Sequence, residues 1–289
     1  DADVDGSHIK GLLINFIQHF WPSLLKTDFI TTMITPVIKA TKGSSIHEFY
    51  NLNDFNEWKE LTNLNGWTTK YYKGLGTSTS KEAKTYFSDL NKNTVNYQWD
   101  EQSNNSIELA FKKDKSDSRK SWIQQGLIDN QIINYSDRSV IFSDFINKDL
   151  IWFSIADNVR SIPSMVDGLK PSQRKVLYAM RKRSNKEAKV SQLSGYISTE
   201  TSYHHGEASL MSTVTSMAHD YVGSNNINLL CPNGQFGTRL MGGKDAASPR
   251  YIFTKLSPRA DQIFLRSDDK ILTYLDDDGS SIEPEYYVP

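Results

Sequence analysis

The sequence predicts an α/β region followed by an α+β region, and three observations predict it. Near the start, Ile9, Leu12, Leu13, Phe16, Ile17 and Phe20 recur at helical spacing, and Phe29 to Lys39 is then rich in Ile, Thr and Val, as in a strand. From Ser143 onward three helical patterns follow one another. The last is succeeded by two strand-like runs, Ile227 to Cys231 and Tyr251 to Leu256, joined by the glycine-rich Asn233 to Gly243. With 289 residues, 38% of them hydrophobic, the chain can hold about two domains with ordinary cores.

Taken in order, Asp1-Ala2-Asp3-Val4-Asp5-Gly6-Ser7 sets three carboxylates at alternating positions before the first helix, whose apolar stripe runs from Ile9 to Phe20 and stops before Pro22. Two or three converging carboxylates suit a hard cation such as Mg²⁺. The same pattern opens a calcium loop, but that loop needs an acid at its twelfth position, where this chain has Leu12. An acidic cap on a helix N-terminus is the plainer alternative.

Phe29 to Lys39 reads as one buried strand with Pro36 at an edge or bulge, and Phe49 to Trp58 as a turn and short helix. Tyr71-Tyr72-Lys73-Gly74-Leu75-Gly76 is a strand end running into a glycine turn that could seat a phosphate. The helix after it carries Ala83, Tyr86, Phe87 and Leu90 on one face. Asn91 to Ser143 is polar and has few landmarks, with some helix expected around Arg119 to Ile123.

Ser143-Asp144 is expected to cap a helix with Phe145, Leu150, Phe153, Ile155 and Val159 on its apolar face. Pro171 opens the next helix, in which Val176, Leu177 and Met180 point inward while Arg174, Lys175, Arg181 and Lys182 are left to solvent or phosphate. Tyr203-His204-His205-Gly206-Glu207 precedes a helix bearing Leu210, Met211, Val214, Met217, Ala218 and Tyr221. The histidine spacing fits no helical zinc site, so His205 is read as a phosphate contact or a packed histidine. Three helices and a glycine-tipped sheet are the ingredients of a winged helix-turn-helix.

Composition narrows the function. The net charge of −1 argues against a uniformly basic nucleic-acid binder, yet the charge is unevenly placed. Between Gly168 and Val190, Lys170, Arg174, Lys175, Arg181, Lys182, Arg183, Lys186 and Lys189 face Glu187 alone, whereas Asp261 to Glu285 holds eight acids against Arg266 and Lys270. One cysteine, Cys231, excludes an internal disulfide framework and any multi-thiolate metal site. No apolar run approaches a membrane span, and the acidic start, without methionine, is expected to belong to a longer protein.

The last constellation is Gly242-Gly243-Lys244-Asp245-Ala246-Ala247-Ser248-Pro249-Arg250-Tyr251. A phenol of pKa about 10 is a poor nucleophile, but a neighbouring guanidinium can stabilise both a phenolate and a phosphoryl group under attack. Alone, this stretch reads more readily as an ordinary surface strand.

Five motifs in sequence carry a resemblance: Asp-x-Asp-x-Asp-Gly-Ser-His-Ile-Lys, Tyr-Lys-Gly-Leu-Gly-Thr-Ser, Gly-Leu-Lys-Pro-Ser-Gln-Arg-Lys-Val-Leu-Tyr, Tyr-His-His-Gly-Glu and Pro-Arg-Tyr-Ile-Phe-Thr. Together they closely resemble type IIA DNA topoisomerases of the eukaryotic type, across the whole chain. The resemblance implies the C-terminal part of a Toprim domain, Rossmann-like α/β, over residues 1–116, a connector over 117–142 and a winged-helix domain over 143–289. It implies Asp1, Asp3 and Asp5 as Mg²⁺ ligands, Tyr251 as nucleophile toward a DNA phosphate with Arg250 stabilising the transition state, and His205, Arg174 and Lys175 around the scissile phosphate. Lys73 and Lys170 would contact DNA. It further implies a homodimer sharing its active sites, double-stranded DNA as partner, ATP bound outside these residues and a nuclear location, or a cytoplasmic one for a viral form. The family's upstream glutamate would precede Asp1, so these residues alone are expected to be incomplete for catalysis. A non-catalytic DNA-binding module and a Toprim nuclease using metal-activated water are the alternatives.

Overall fold

A computed structural model describes residues 3–72, 75–135, 138–203, 205–277 and 279–289. The chain divides into two compact units, Asp1–Asp157 and Asn158–Pro289. Among the described residues no helix is long and apolar enough to cross a membrane.

The first unit opens with α1 (Val4–Phe20), capped by the Asp3 carboxylate, which accepts from the Gly6 N–H at 2.9 Å. The helix forms where its pattern predicts, but the face it buries is not the large-residue stripe. Gly6, Ser7, Gly11 and Ile14 are buried, while Ile9, Leu12, Leu13, Phe16 and Phe20 are exposed. Close approach explains this: a Cβ on Gly11 would sit 3.0 Å from the ring of Phe111 and 3.1 Å from Leu150, so the small residues take the crowded side.

The run expected as one strand is two, β1 (Thr31–Met33) and β2 (Ile38–Lys42), in different sheets. Pro36, lacking an N–H, lies in the break between them. β2 is the centre of an antiparallel sheet flanked by β3 (Ser45–Phe49) and, beyond α2 (Leu52–Leu61), by β4 (Thr68–Tyr71). Ile38, Ala40, Phe49 and Phe55 form its small core. After α3 (Ser80–Ser88), started by a Thr79–Glu82 capping box, comes β5 (Thr94–Gln98), antiparallel to β1. Phe87 and Leu90, expected on the buried face of α3 with Tyr86, are exposed, and only Tyr86 is buried.

Helices α4 (Ser103–Phe111) and α5 (Ser116–Asp129) occupy the stretch with fewest landmarks, and β6 (Ser139–Ile141) pairs parallel to β5. The chain then runs helically through Phe142–Phe145, a π-helical turn Ile146–Leu150, and α6 (Ile151–Ser161). Ser143 does not cap this run; its hydroxyl donates to Asp100 at 2.8 Å. Phe142, Phe145, Ile146 and Leu150 pack with Ile14, Val95, Tyr97 and Ile107, so residues 143–157, grouped in the sequence reading with the following domain, share the first unit's core.

The second unit is built on α7 (Pro171–Lys182), β7 (Ala188–Lys189), α8 (Val190–Thr201) and α9 (Glu207–Ala218). Val176, Leu177, Met180, Leu193, Ile197, Leu210, Val214 and Met217 meet in one core, each fully buried aliphatic contributing about 1.5–3 kcal/mol. Of the two strand-like runs, only β8 (Phe253–Thr254) forms, antiparallel to β7; Leu230 contributes a single bridge to Leu256. α10 (Pro258–Ile263) and the hairpin β9 (Tyr274–Asp277) and β10 (Ser280–Pro284) complete the unit.

Candidate active site

Local bonding dictates where Tyr251 stands. Its N–H donates to Ser248 O at 2.8 Å, and the carbonyls of Pro249 and Ile252 accept from the N–H groups of Ser191 and Val190 at 3.2 and 3.1 Å. Those donors open α8, where a helix has no internal partners for them, so the segment is fixed to the positive end of that helix. The Tyr251 side chain is left 64% exposed. The Arg250 guanidinium lies over its ring, 4.8 Å from the centroid. An accessible phenol and a permanent cation in contact are the two parts that attack on a phosphoryl group requires of a protein.

The glycine-rich approach is a closed loop. Thr238 donates its N–H and its hydroxyl to Asp245, both at 2.8 Å, and these bonds hold the Asp245 carboxyl below the usual range. Ala247 N–H donates to Gln235 O at 2.9 Å. His205 is exposed in the turn before α9, its ring edge-on to Tyr203 at 5.5 Å. Among the described residues, no hydrogen bond or ring contact joins it to Arg250 or Tyr251.

The cations of α7 lie elsewhere than expected. Arg174 is buried: its Nε and Nη2 donate to the Asp167 carboxylate at 2.7 and 3.0 Å, and Nη2 also to Leu169 O. Burial works against the charge of Asp167, but Arg174 and the N–H groups of Leu169 and Tyr287 outweigh it and keep its pKa low. Lys175 donates to Thr201 O and Glu283, and buried Arg181 reaches Asp261, Asp269 and Phe264 O. Lys182 pairs with Glu200 at 2.7 Å. Lys175 and Arg181 thus find counterions in the acidic arm that begins at Asp261, distant in sequence, while Arg174 and Lys182 pair with acids outside it. Lys170 sits at the start of α7, half-buried, and Lys189 lies over the Phe253 ring at 5.9 Å.

At the acid end, Asp1 lies outside the described residues, as does Lys73. Asp3 caps α1 through one oxygen, its other oxygen entering no hydrogen bond among the described residues, and Asp5 follows in the first turn. Asp3 also lines a cavity of about 540 Å³ with Ser7, Lys10, Tyr135 and Asp149. There Asp149 accepts from Ser7 and Tyr135, each at 2.7 Å, and from Lys10 at 3.4 Å. Burial and that carboxylate push the Tyr135 phenol up. Two carboxylates with hard oxygen donors at one helix end fit Mg²⁺ chemically. Among the described residues, no group of three His, Cys, Asp or Glu comes together as a metal cluster.

The chain is similar to known proteins over its whole length. Residues 33–158 match the C-terminal associated domain of TOPRIM, and residues 160–289 match the A-type subunit of DNA gyrase/topoisomerase IV. Over its whole length the chain is 56% identical to DNA topoisomerase 2 of Arabidopsis thaliana and 53% to the mitochondrial DNA topoisomerase 2 of Dictyostelium discoideum. The chain belongs to the eukaryotic type II DNA topoisomerase family. It spans 20% and 23% of those two topoisomerases. It also superposes, at a TM-score of 0.81 and 50% identity, on a Plasmodium falciparum structure described as the topoisomerase II DNA-binding, cleavage and re-ligation domain, covering all of this chain and 40% of that one.

Several residues of this topoisomerase segment carried no signal in the sequence. Asp167 and Glu283 hold Arg174 and Lys175 from 7 and 108 residues away. Thr238 and Asp245 close the loop, and His219 and Tyr221 lie beneath it. Only the Asp245 clasp, within a glycine-rich stretch, had a local cue.

Proposed function

We propose that this chain is the DNA-cleavage and religation core of an ATP-dependent type IIA topoisomerase, with Tyr251 as nucleophile. The observation that carries the reading is the exposed Tyr251 phenol under the Arg250 guanidinium, on a segment pinned to the start of α8. Tyr251 Oη attacks a phosphodiester phosphorus in line. A P–O bond forms to the tyrosine, the bond to the 3′-oxygen breaks, and the DNA is left with a 5′-phosphotyrosyl link and a free 3′-hydroxyl. Arg250 stabilises the charge that develops on the non-bridging oxygens. Because the link conserves the bond energy, the 3′-hydroxyl can reverse the step and reseal the strand after a second duplex has passed, which relaxes or decatenates DNA.

Asp3 and Asp5, with Asp1, would hold Mg²⁺. When bound, it supplies Lewis-acid stabilisation of the leaving oxygen. ATP binds outside these residues. In this reading the active protein is a homodimer, the tyrosine of one protomer working with the acids of the other, on double-stranded DNA in the nucleus. We assign the Toprim-type part to the first unit and the winged-helix cleavage domain to the second. Lys170, Lys73 and His205 contact phosphate and sugar, as suits an enzyme that cannot depend on one base sequence. Arg174 and Lys175 serve by fixing the start of α7 rather than by touching DNA.

The test uses the intact protein with Mg²⁺ and supercoiled DNA. Denaturant quenching should trap protein covalently on 5′ ends, and Tyr251→Phe should abolish the adduct while retaining DNA binding. Cutting by the Phe variant would establish the nuclease alternative, and absence of cutting by both proteins would leave a binding module.

A further inference from the structure

The loop leading into Arg250 and Tyr251 rests on two side chains that the cleavage reading does not use. Gly243 has φ +80°, and a Cβ there would lie 2.6 Å from His219 Cε1, 3.0 Å from its Nε2 and 2.7 Å from the Tyr221 hydroxyl. The loop backbone is therefore in direct contact with an imidazole and a phenol. On its other side Gly237, φ +105°, is packed so that a Cβ would meet Gly243 Cα at 2.5 Å. Backbone on backbone on side chain leaves no slack in that stack.

The seat itself is held from below. His219 follows the last residue of α9, and Asn225 Nδ2 donates to the carbonyls of His219 and Ser216 at 2.9 and 2.7 Å. His219 Nδ1 lies 3.2 Å from the Tyr221 hydroxyl, which couples the two rings. Nε2 is buried and has no hydrogen-bond partner among the described residues. A buried polar atom left unpaired costs stability, and such atoms are uncommon enough to call for a reason. Above the seat, the Thr238–Asp245 bonds and the Ala247–Gln235 and Tyr251–Ser248 bonds stiffen the path from Gly243 to Tyr251. A shift at Gly243 is transmitted along this path rather than absorbed.

Resting on the assignment of Tyr251 as nucleophile, we propose that His219, with Tyr221, is a positioning residue for the cleavage step: the pair sets the height of the Gly237–Lys244 loop and so the approach of Arg250 and Tyr251 to the phosphodiester. The pair touches neither DNA nor the reacting atoms; it acts through the loop backbone.

The experiment measures the single-turnover rate of covalent adduct formation, and separately DNA affinity, for the intact protein with Mg²⁺ and a duplex. His219→Ala is expected to slow adduct formation about tenfold with DNA affinity changed by less than about twofold, since small misplacements of a nucleophile cost rate rather than binding. His219→Gln, which returns an uncharged polar group opposite Tyr221, should recover the rate to within about threefold. Tyr221→Phe removes only the hydroxyl and should slow the step while the fold is kept, so it serves if the alanine variant does not fold. A wild-type rate in His219→Ala or Tyr221→Phe, a loss confined to affinity, or a glutamine variant no better than alanine would overturn the proposal. A wild-type protein that forms no adduct would instead remove the nucleophile assignment on which it rests.

Discussion

Helix α1 buries its smallest residues, whereas α7 buries its largest charges. In α1 the inward face is Gly6, Ser7, Gly11 and Ile14, with Ile17 half-buried beside it, whereas Ile9, Leu12, Leu13, Phe16 and Phe20 are exposed. In α7 the inward face holds Val176, Leu177 and Met180, as amphipathic spacing suggests, but also Arg174 and Arg181. The difference lies in what stands opposite. Phe111 and Leu150 approach α1 so closely that only small residues fit, while Asp167, Asp261, Asp269 and Glu283 offer carboxylates to α7. A helix pattern therefore fixes a period, and the neighbouring elements decide which side is interior.

The sharpest way to break this comparison is at Arg174. Arg174→Ala leaves the Asp167 carboxylate buried without its cation, held only by the N–H groups of Leu169 and Tyr287, and should cost about 3–5 kcal/mol in urea unfolding. The same pair carries a pH signature. Because the Asp167 carboxyl titrates lower in the folded chain than in the unfolded one, its stabilisation is present above the ordinary carboxylate range and is lost as the pH falls through and below it. That acid limb should be weakened in the variant. If Arg174→Ala were as stable as the parent, the guanidinium would not be structural.

A middle-sized effect is expected at Gly11. Gly11→Leu overfills the contact with Phe111 and Leu150 and should cost about 1–3 kcal/mol by thermal or urea unfolding. The smallest belongs to the outward stripe: in this chain, Leu13→Ser, at a site 59% exposed, should change stability by no more than about 0.5 kcal/mol. A serine variant costing more than the Gly11 variant would reverse the assignment of faces on α1.

These same elements show what could be read in the sequence. The start of α7 followed from Pro171, and the inward faces of α7 and α9 from apolar spacing, but the α9 pattern ran on to Tyr221 whereas the helix ends at Ala218. The pairing of Arg250 with Tyr251 is adjacent in sequence and needed no fold to bring it about. The burial of Arg174 and the pairing of Lys175 could not be read, since their partners arrive from other elements. Pro36 was seen as a mark on one strand but separates two, because its missing N–H cannot say whether the chain rejoins the same sheet. The hairpin of β9 and β10 went unpredicted although Gly279, with φ +81°, follows an aspartate run of the kind that turns a hairpin.

The internal pairing of α7 with the acidic arm also bears on how the chain would respond to salt. Binding to DNA is driven largely by release of condensed ions, about 0.9 for each phosphate a cation neutralises, and only a cation able to turn toward the polyanion contributes. Lys175 and Arg181 already have fixed counterions in Glu283, Asp261 and Asp269, built into the chain. A tally of lysines and arginines between Gly168 and Val190 therefore overstates the ionic exchange available. Under the proposed function, the salt sensitivity of DNA binding should come from cations outside these pairs, with little from Lys175 and Arg181.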